Sequence, residues 1–269
     1  MPVDDNYPRH GSMTWFGAAD YGMDTGPSAV AIVDLVLQYL CPTSVVDVGC
    51  GTGVFLEEFE KRGTDTILGL DGPATKTVFR PDGSNFLAAD LTARVELDRR
   101  FDLALCLEVA EHLPAESANC LVETLTDLAP VILFSAAHPA QGGQDHVNER
   151  WPVYWYRRFA QRGYVALDIL RGPLSDRPRV LDCYRQNLVL YVESSRCTVI
   201  LDRAAALNVP DAFVLAHQEG VTTDLQHQPW GVLVRTLGRK LGRRVRRSTR
   251  LSTATERPGS AGSTLPGSR

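Results

Sequence analysis

The stretch that decides the fold runs from Ser44 to Gly53 and reads SVVDVGCGTG. Three β-branched valines around a single aspartate predict a short buried strand. The glycines at positions 49, 51 and 53 predict a tight turn that opens a helix, because glycine adopts positive φ and lets the backbone approach a ligand closely. A buried strand, a glycine turn and a helix in this order indicate an α/β protein that binds a ligand at the turn.

The alternation of strands and helices continues through most of the chain. Apolar periodicity predicts helices over residues 28–39, 54–62, 115–128 and 151–162, and strands over 44–48, 66–70, 85–88, 101–107, 130–135, 164–170 and 187–192. This order predicts an α/β fold with a Rossmann-like, mostly parallel seven-stranded sheet and helices on both faces. Ligands of such sheets bind beyond the carboxyl ends of the strands, so we expect the functional residues in the loops that follow strands.

Composition excludes several classes of protein. The chain has 269 residues, of which 44% are hydrophobic and 22% charged, as in ordinary globular domains, so wholesale disorder, collagen and coiled coils are excluded. The six cysteines form no CxxC pair, which argues against a disulfide framework or a zinc ribbon. The first residues lack the pattern of a signal peptide and no apolar run is long enough to span a membrane, so we expect a cytoplasmic protein.

Charge is divided unequally along the chain. Residues 1–230 carry 18 basic and 31 acidic groups, net −13, whereas residues 231–269 carry 10 basic groups and one acidic group, net +9. The acidic body argues against nucleic acid as a partner. Residues 232–247 form a basic amphipathic pattern that predicts either a helix on an anionic membrane or a solvated extension, and residues 248–269 are predicted to be disordered. No feature of the sequence specifies an oligomeric state.

The spacing of the glycines restricts the classes of ligand that the turn can bind. A dinucleotide fingerprint, GxGxxG, would have its third glycine at position 54, but that residue is Val, so the spacing is GxGxG and argues against NAD or FAD. The turn also lacks the lysine of a phosphate-binding loop. Asp47, two residues before the first glycine, favours a ligand with a cationic end; the side chain either orients the glycine loop from a buried position or lies near that cation. Asp71 follows Gly49 by 22 residues, close to the distance of about 20 at which an acid accepts hydrogen bonds from a ribose, although a helix N-cap is the alternative.

These motifs together resemble the class I S-adenosylmethionine-dependent methyltransferases, whose first motif is a strand followed by DxGxGxG. The resemblance spans residues 45–192. In LGLD, Asp71 matches the acid that holds both ribose hydroxyls; in AADL, Asp90 matches the acid beside the adenine, with a solvated turn residue as the alternative. FDLALCL at 101–107 matches the fourth strand, which leads to the substrate. The resemblance implies S-adenosyl-L-methionine as cofactor and these binding residues: Asp47, Gly49, Gly51, Gly53, Asp71 and Asp90.

An acidic motif with a histidine follows the fourth predicted strand and reads LEVAEHLP. On a helical turn, Glu108, Glu111 and His112 would share one face beyond the strand end, although a plain polar helix start explains the acids equally well. The ExxEH pattern with a later Asp145-His146 is similar to ubiquinone-pathway O-methyltransferases and small-RNA 2′-O-methyltransferases. That resemblance implies a divalent metal, Mg²⁺, Mn²⁺ or Zn²⁺, on Glu108, Glu111, His112 and His146, with His138 competing for the fourth position.

The chemistry of the cofactor sets what the other residues must do. A sulfonium is already an activated leaving group, so the enzyme mainly aligns the acceptor, and a hydroxyl acceptor needs a base or a Lewis acid. His146 and His138 are the predicted catalytic residues. We therefore predict a methyltransferase that O-methylates a small-molecule acceptor, a sugar, phenol or carboxylate, in a biosynthetic pathway. The alternative is an RNA 2′-O-methyltransferase with a divalent metal, which the acidic body opposes.

The predicted domain organisation follows from these boundaries. It comprises an N-terminal segment and helix at 1–43, a methyltransferase core at 44–200, a C-terminal extension at 201–230 and a basic amphipathic and disordered tail at 231–269.

Overall fold

The computed structural model describes residues 24–139, 141–207 and 213–215. The predicted tail at 231–269 and most of the predicted N-terminal segment lie outside the described residues. Within them, the strands are β1 Ser44–Val48, β2 Thr66–Asp71, β3 Phe86–Ala88, β4 Leu103–Leu107, β5 Val131–Ser135, β6 Tyr164–Asp168, β7 Val189–Glu193 and β8 Phe213–Leu215. The α-helices are α1 Gly26–Tyr39, α2 Val54–Lys61, α3 Ala118–Leu128, α4 Pro152–Gln161, α5 Arg171–Ser175, α6 Asp182–Asn187 and α7 Cys197–Ala206.

All described strands join one sheet in the order β3-β2-β1-β4-β5-β7-β6-β8. Neighbouring strands from β3 to β5 are parallel, β7 runs antiparallel to both β5 and β6, and β8 is antiparallel to β6. The prediction of a mostly parallel seven-stranded sheet is confirmed, and β8 adds an edge strand that the sequence did not predict. Strand order reverses between β1 and β4, which places the expected ligand crevice at their carboxyl ends.

Helices cover both faces of the sheet. On one face, α1 and α2 contribute fully buried side chains such as Tyr39, Leu56 and Phe59 to the main core. On the other, Phe134 of β5 contacts the rings of Trp155 and Phe159 from α4, at centroid distances of 5.2 and 5.5 Å. Burying each such side chain contributes about 1.5–3 kcal/mol, so the two layers hold the strand ends in fixed positions.

The four predicted helices are present, with small differences at their ends. Proline at the second position of α1 and at the first of α4 suits a helix start, because its missing N–H has no partner there in any case. The prediction over 115–128 becomes a short 3₁₀ turn at Ala115–Ser117 followed by α3. None of the helices in the described ranges is both long and apolar enough to cross a membrane.

Candidate active site

The glycine turn between β1 and α2 needs glycine at its predicted positions. Gly49, Gly51 and Gly53 have φ of 83°, 51° and 72°, in the left-handed region that disfavours side chains. A Cβ on Gly49 would lie 2.4 Å from a methyl carbon of Val109, and one on Gly53 would lie 2.5 Å from the ring of Phe79. The turn at the carboxyl end of β1 is therefore closely packed against Val109 and Phe79.

Asp71 joins this turn from the end of β2. Its Oδ2 accepts a hydrogen bond from the Gly51 amide at 2.8 Å, and its Oδ1 accepts from the Gly72 amide at 2.6 Å and the Thr75 hydroxyl at 3.2 Å. Burial raises the pKa of Asp71, and these hydrogen bonds oppose the rise. A carboxylate has about four acceptor positions, so Asp71 retains capacity for a further donor beside the turn.

Asp47 and Asp90 occupy different environments. Asp47 is 3% exposed within β1, and burial first and the charge of Asp71 second raise its pKa to about 7. Asp90 follows β3, and its Oδ1 accepts hydrogen bonds from the amide and the hydroxyl of Thr92 at 2.9 and 2.6 Å. The structure thus places one acid inside the sheet behind the turn and the other in a hydrogen-bonded loop at the same edge.

Three of the predicted metal ligands lie together beyond β4 and β5. Ligand atoms of Glu111, His112 and His146 are all within 4.8 Å of one another. Glu111 is fully buried, and its two carboxylate oxygens make no hydrogen bond of ordinary geometry to the described residues. The two imidazole rings meet edge to face at a centroid distance of 4.9 Å. A buried carboxylate beside two imidazoles is the kind of donor set that binds a divalent cation.

The fourth predicted ligand, Glu108, is not part of this group, and the predicted helical turn at this motif is wrong. Glu108 has a φ of 55°, a left-handed conformation that does not belong to a helix, and its amide extends the parallel β4–β5 pairing by donating to the Ser135 carbonyl at 3.0 Å. Pro114 also disfavours a helical residue before it. The Glu108 carboxylate instead accepts from Asn187 Nδ2, at 3.2 Å to one oxygen and 3.4 Å to the other.

Burial controls the electrostatics of this cluster. It raises the pKa of Glu111 well above its ordinary value, and the neighbouring Glu108 carboxylate raises it further. Burial also raises the pKa of Glu108 and lowers that of His112, with His146 lowering the latter further. Each shift favours the neutral form, so ionised carboxylates at this position require a cation close by.

His138 lies apart from the cluster. Its Nδ1 is 3.0 Å from the Pro139 carbonyl, and its ring stacks on Trp151 with a centroid distance of 5.3 Å and an interplanar angle of 9°. Its backbone amide donates to Gln141 Oε1 at 2.9 Å, and Asn187 Nδ2 donates to the same oxygen at 3.0 Å. A polar network therefore runs from the loop after β5 to Asn187 at the end of α6 and on to Glu108.

Sequence reasoning missed two groups of residues around the site. Gln141 lies in the loop after β5 and Asn187 at the end of α6, before the antiparallel β7, and neither carries a local signal. Glu149 Oε1 lies 2.9 Å from His146 Nδ1, and the H-x-x-E spacing of the two residues is the sequence signal for this pair.

A glycine turn joined to an acid at the end of the next strand, with titratable side chains beyond β4 and β5, is the arrangement typical of Rossmann-like folds that bind nucleoside-containing cofactors. Residues 28–166 match the methyltransferase domain family, and the chain belongs to it.

Curated relatives match part of this region. The chain is 36% identical over 103 residues to a ubiquinone biosynthesis O-methyltransferase of Pseudomonas fluorescens strain Pf0-1, a match that covers 35% of this chain and 44% of that protein. It is 33% identical over 84 residues to the protein of the same name from Acinetobacter baylyi, covering 28% and 35%. The chain thus spans less than half the length of these relatives.

Solved structures share the fold. CalS10, an amino pentose methyltransferase from Micromonospora echinaspora, matches with a TM-score of 0.50 at 20% identity, over 69% of this chain and all of that one. The sugar N-methyltransferase KedS8 from Streptoalloteichus matches with a TM-score of 0.51 at 17% identity, over 72% and 98%. These likenesses confirm the Rossmann-like methyltransferase fold.

Proposed function

We propose that this enzyme methylates an oxygen atom of a small-molecule acceptor and holds a divalent cation at Glu111, His112 and His146 to do so. The observation that carries the proposal is the fully buried Glu111 carboxylate, which has no hydrogen bond of ordinary geometry and lies with two imidazoles beyond β4. An uncompensated buried carboxylate costs several kcal/mol, whereas a bound cation would remove that cost.

The residues of the turn fit the cofactor. Gly49 and Gly53 leave no space for side chains, so the turn can meet a ligand at the carboxyl end of β1 with its backbone. Asp71 can accept a ribose hydroxyl at its remaining acceptor position while it keeps its bond to the Gly51 amide. Buried Asp47 supplies negative charge behind the turn, which favours a cationic ligand. When bound, S-adenosylmethionine supplies an electrophilic methyl group.

The cluster fits a cation on chemical grounds. One carboxylate and two imidazoles suit Mn²⁺ or Zn²⁺, and Mg²⁺ would retain several waters at such a site. When bound there, a divalent ion lowers the pKa of a hydroxyl that it contacts. The orientation of both imidazoles agrees with this role, because His112 Nδ1 lies 3.4 Å from the Asp145 carbonyl and His146 Nδ1 lies 2.9 Å from Glu149 Oε1. Metal-binding histidines commonly donate one ring N–H to an oxygen in this way.

The surrounding residues would orient the acceptor and receive its proton. Glu108, Asn187 and Gln141 form a hydrogen-bonded series at the same edge, which can hold hydroxyl groups in a defined direction. A cation on His146 occupies the lone pair of its ring, so His138, stacked on Trp151, is the proposed base when the cation is bound, and His146 is the base only without it. A carboxylate acceptor would need neither histidine as base.

Two observations support oxygen of a small molecule as the acceptor. The curated relatives with 33–36% identity are named as O-methyltransferases, which supports the class of reaction. The net charge of −13 over residues 1–230 opposes a polyanionic RNA substrate. Small-molecule specificity is therefore the better-supported of the two.

The test is a transfer assay with a labelled methyl donor. The acceptor panel contains sugars, amino sugars, phenols, carboxylic acids and RNA, each with and without EDTA, and fragmentation of the product by mass spectrometry locates the new methyl group on oxygen or nitrogen. We expect methylated oxygen on a small molecule and turnover that EDTA removes and Mn²⁺ or Mg²⁺ restores. Methylation of RNA alone, or of an amine, would refute the proposed acceptor.

A variant pair tests the metal separately. Glu111→Ala should reduce turnover at least as strongly as EDTA while S-adenosylmethionine affinity, measured by calorimetry, stays nearly unchanged, because the cluster lies beyond β4 and not at the glycine turn. Glu60→Ala, an exposed glutamate at the end of α2, is the matched control and should behave like the wild type. Full turnover of the wild type in excess chelator would end the metal proposal.

A further inference from the structure

We propose that Glu149 is a positioning residue that fixes the imidazole of His146 as the tautomer with its proton on Nδ1. The consequence for metal affinity rests on the proposed function, whereas the tautomer itself can be measured without any metal.

The contact between the two side chains is short and sheltered. His146 Nδ1 lies 2.9 Å from Glu149 Oε1, and the side chains are only 14% and 22% exposed. A carboxylate can only accept a hydrogen bond, so in the neutral ring the proton must be on Nδ1. Nε2 then carries the lone pair, which a cation or the proton of an acceptor requires.

The backbone on both sides of Glu149 is anchored. The amides of Val147 and Asn148 both donate to the Glu111 carbonyl at 2.9 Å, and the Arg150 amide donates to the Ala137 carbonyl at 3.3 Å. Asn148 is 2% exposed. These bonds tie the segment directly to the turn that carries Glu111. The backbone of Glu149 is therefore fixed in position relative to Glu111, His112 and His146.

Gly143 supports the same ring. A Cβ on Gly143 would lie 2.2 Å from both Cε1 and Nε2 of His146, so the ring packs against the bare backbone of that glycine. The imidazole is therefore located by two independent contacts, a hydrogen bond at Nδ1 and a steric support near Nε2. Side chains that hold a metal-binding histidine in this way typically contribute 10–100-fold to metal affinity.

The first measurement reads the tautomer in protein without metal. Long-range ¹H–¹⁵N NMR spectra at about pH 8.5, some two units above the ordinary histidine pKa, distinguish protonated from unprotonated ring nitrogens. A His146→Gln spectrum assigns the resonances. We expect Nδ1–H in the wild type and in Glu149→Gln, which keeps an acceptor oxygen, and a shift toward Nε2–H in Glu149→Ala. Glu60→Ala is the control and should match the wild type.

The second measurement is Mn²⁺ affinity by electron paramagnetic resonance. Glu149→Ala should bind Mn²⁺ roughly 10–100-fold more weakly than the wild type, with Glu149→Gln between them. Gly143→Ala should also weaken binding, because the added methyl group displaces the ring while Glu149 stays in place.

The two readouts separate the possible failures. An unchanged His146 tautomer in Glu149→Ala overturns the role of Glu149, whatever the metal does. A wild type that binds no Mn²⁺ but shows the expected tautomer change refutes the proposed metal site and leaves the role of Glu149 intact.

Discussion

Replacing Asp47 with asparagine should change both the stability of the cofactor-free protein and the pH dependence of cofactor binding. The carboxyl group is 3% exposed, and burial, with the charge of Asp71, raises its pKa to about 7. The ordinary pKa of an aspartate is about 3.9, so the shift is about three units.

The sign of the effect on stability follows from this shift. A folded-state pKa above the unfolded one means that the folded protein holds the proton more tightly, so this contribution to stability is lost as the pH rises from about 4 through 7. Three units correspond to about 4 kcal/mol. Asparagine has nearly the same shape and no charge, so the unfolding free energy of Asp47→Asn relative to the wild type should grow by about that amount between pH 4 and pH 8.

Cofactor binding should change in the opposite direction. The cationic end of S-adenosylmethionine favours the ionised carboxylate, which is about one-tenth populated at pH 6 and about nine-tenths populated at pH 8 when the pKa is about 7. The wild-type Kd should therefore be about tenfold weaker at pH 6 than at pH 8. S-adenosylhomocysteine, which lacks the sulfonium charge, should show a smaller change, and Asp47→Asn should bind the cofactor without this pH dependence.

Chemical denaturation and calorimetry across this pH range test both effects. Asp65→Asn, an exposed aspartate before β2, is the matched control and should follow the wild type in each. A stability difference that stays constant with pH, or the same pH dependence of Kd in wild type and Asp47→Asn, would refute the reasoning.

Two further variants test the glycine turn and its acid. Asp71→Asn should weaken S-adenosylmethionine binding roughly 10–100-fold by calorimetry, because hydrogen bonds to a charged group contribute about 1.5–3 kcal/mol; an unchanged Kd would exclude contact with the cofactor. Gly49→Ala should lower the free energy of unfolding by more than the roughly 1–2 kcal/mol that positive-φ strain costs, because its methyl group would also meet Val109. Gly63→Ala is the control: Gly63 has a φ of 91° and nothing within 4 Å of an added Cβ, so this variant should lose only the strain energy. Equal losses in thermal denaturation would contradict the steric argument.

Most of the fold could be predicted because its strands are short apolar runs. Every residue of β4 and β5 is buried, and uninterrupted apolar runs of this kind identify central parallel strands without an alignment. Two of the elements that were missed, α5 and β8, have weak local signals. Helix α5 contains Gly-Pro in its five residues, which reads as a loop, and β8 has only three residues.

The site was predictable where its residues are neighbours in the chain. The ExxEH spacing identified Glu111 and His112, and the later histidine joined them, because the loop after β5 packs on the same turn. The prediction from this spacing was wrong for Glu108, because its left-handed backbone directs the carboxylate to Asn187, a residue 79 positions away. That contact depends on the direction of a strand at the other end of the chain, which no local pattern encodes.

The reversed direction of β7 has a consequence for how acceptor choice can diverge. β6 ends and β7 begins at the same edge of the sheet. The connection between them, residues 169–188 with α5 and α6, therefore does not need to cross a face of the sheet to reach the start of the next strand. The whole excursion can therefore grow, shrink or change composition as a rim above the crevice while the strands beneath it keep their register. Relatives with different acceptors would be expected to differ most in this rim, and an exchange of it between two such enzymes is a direct route to altered selectivity.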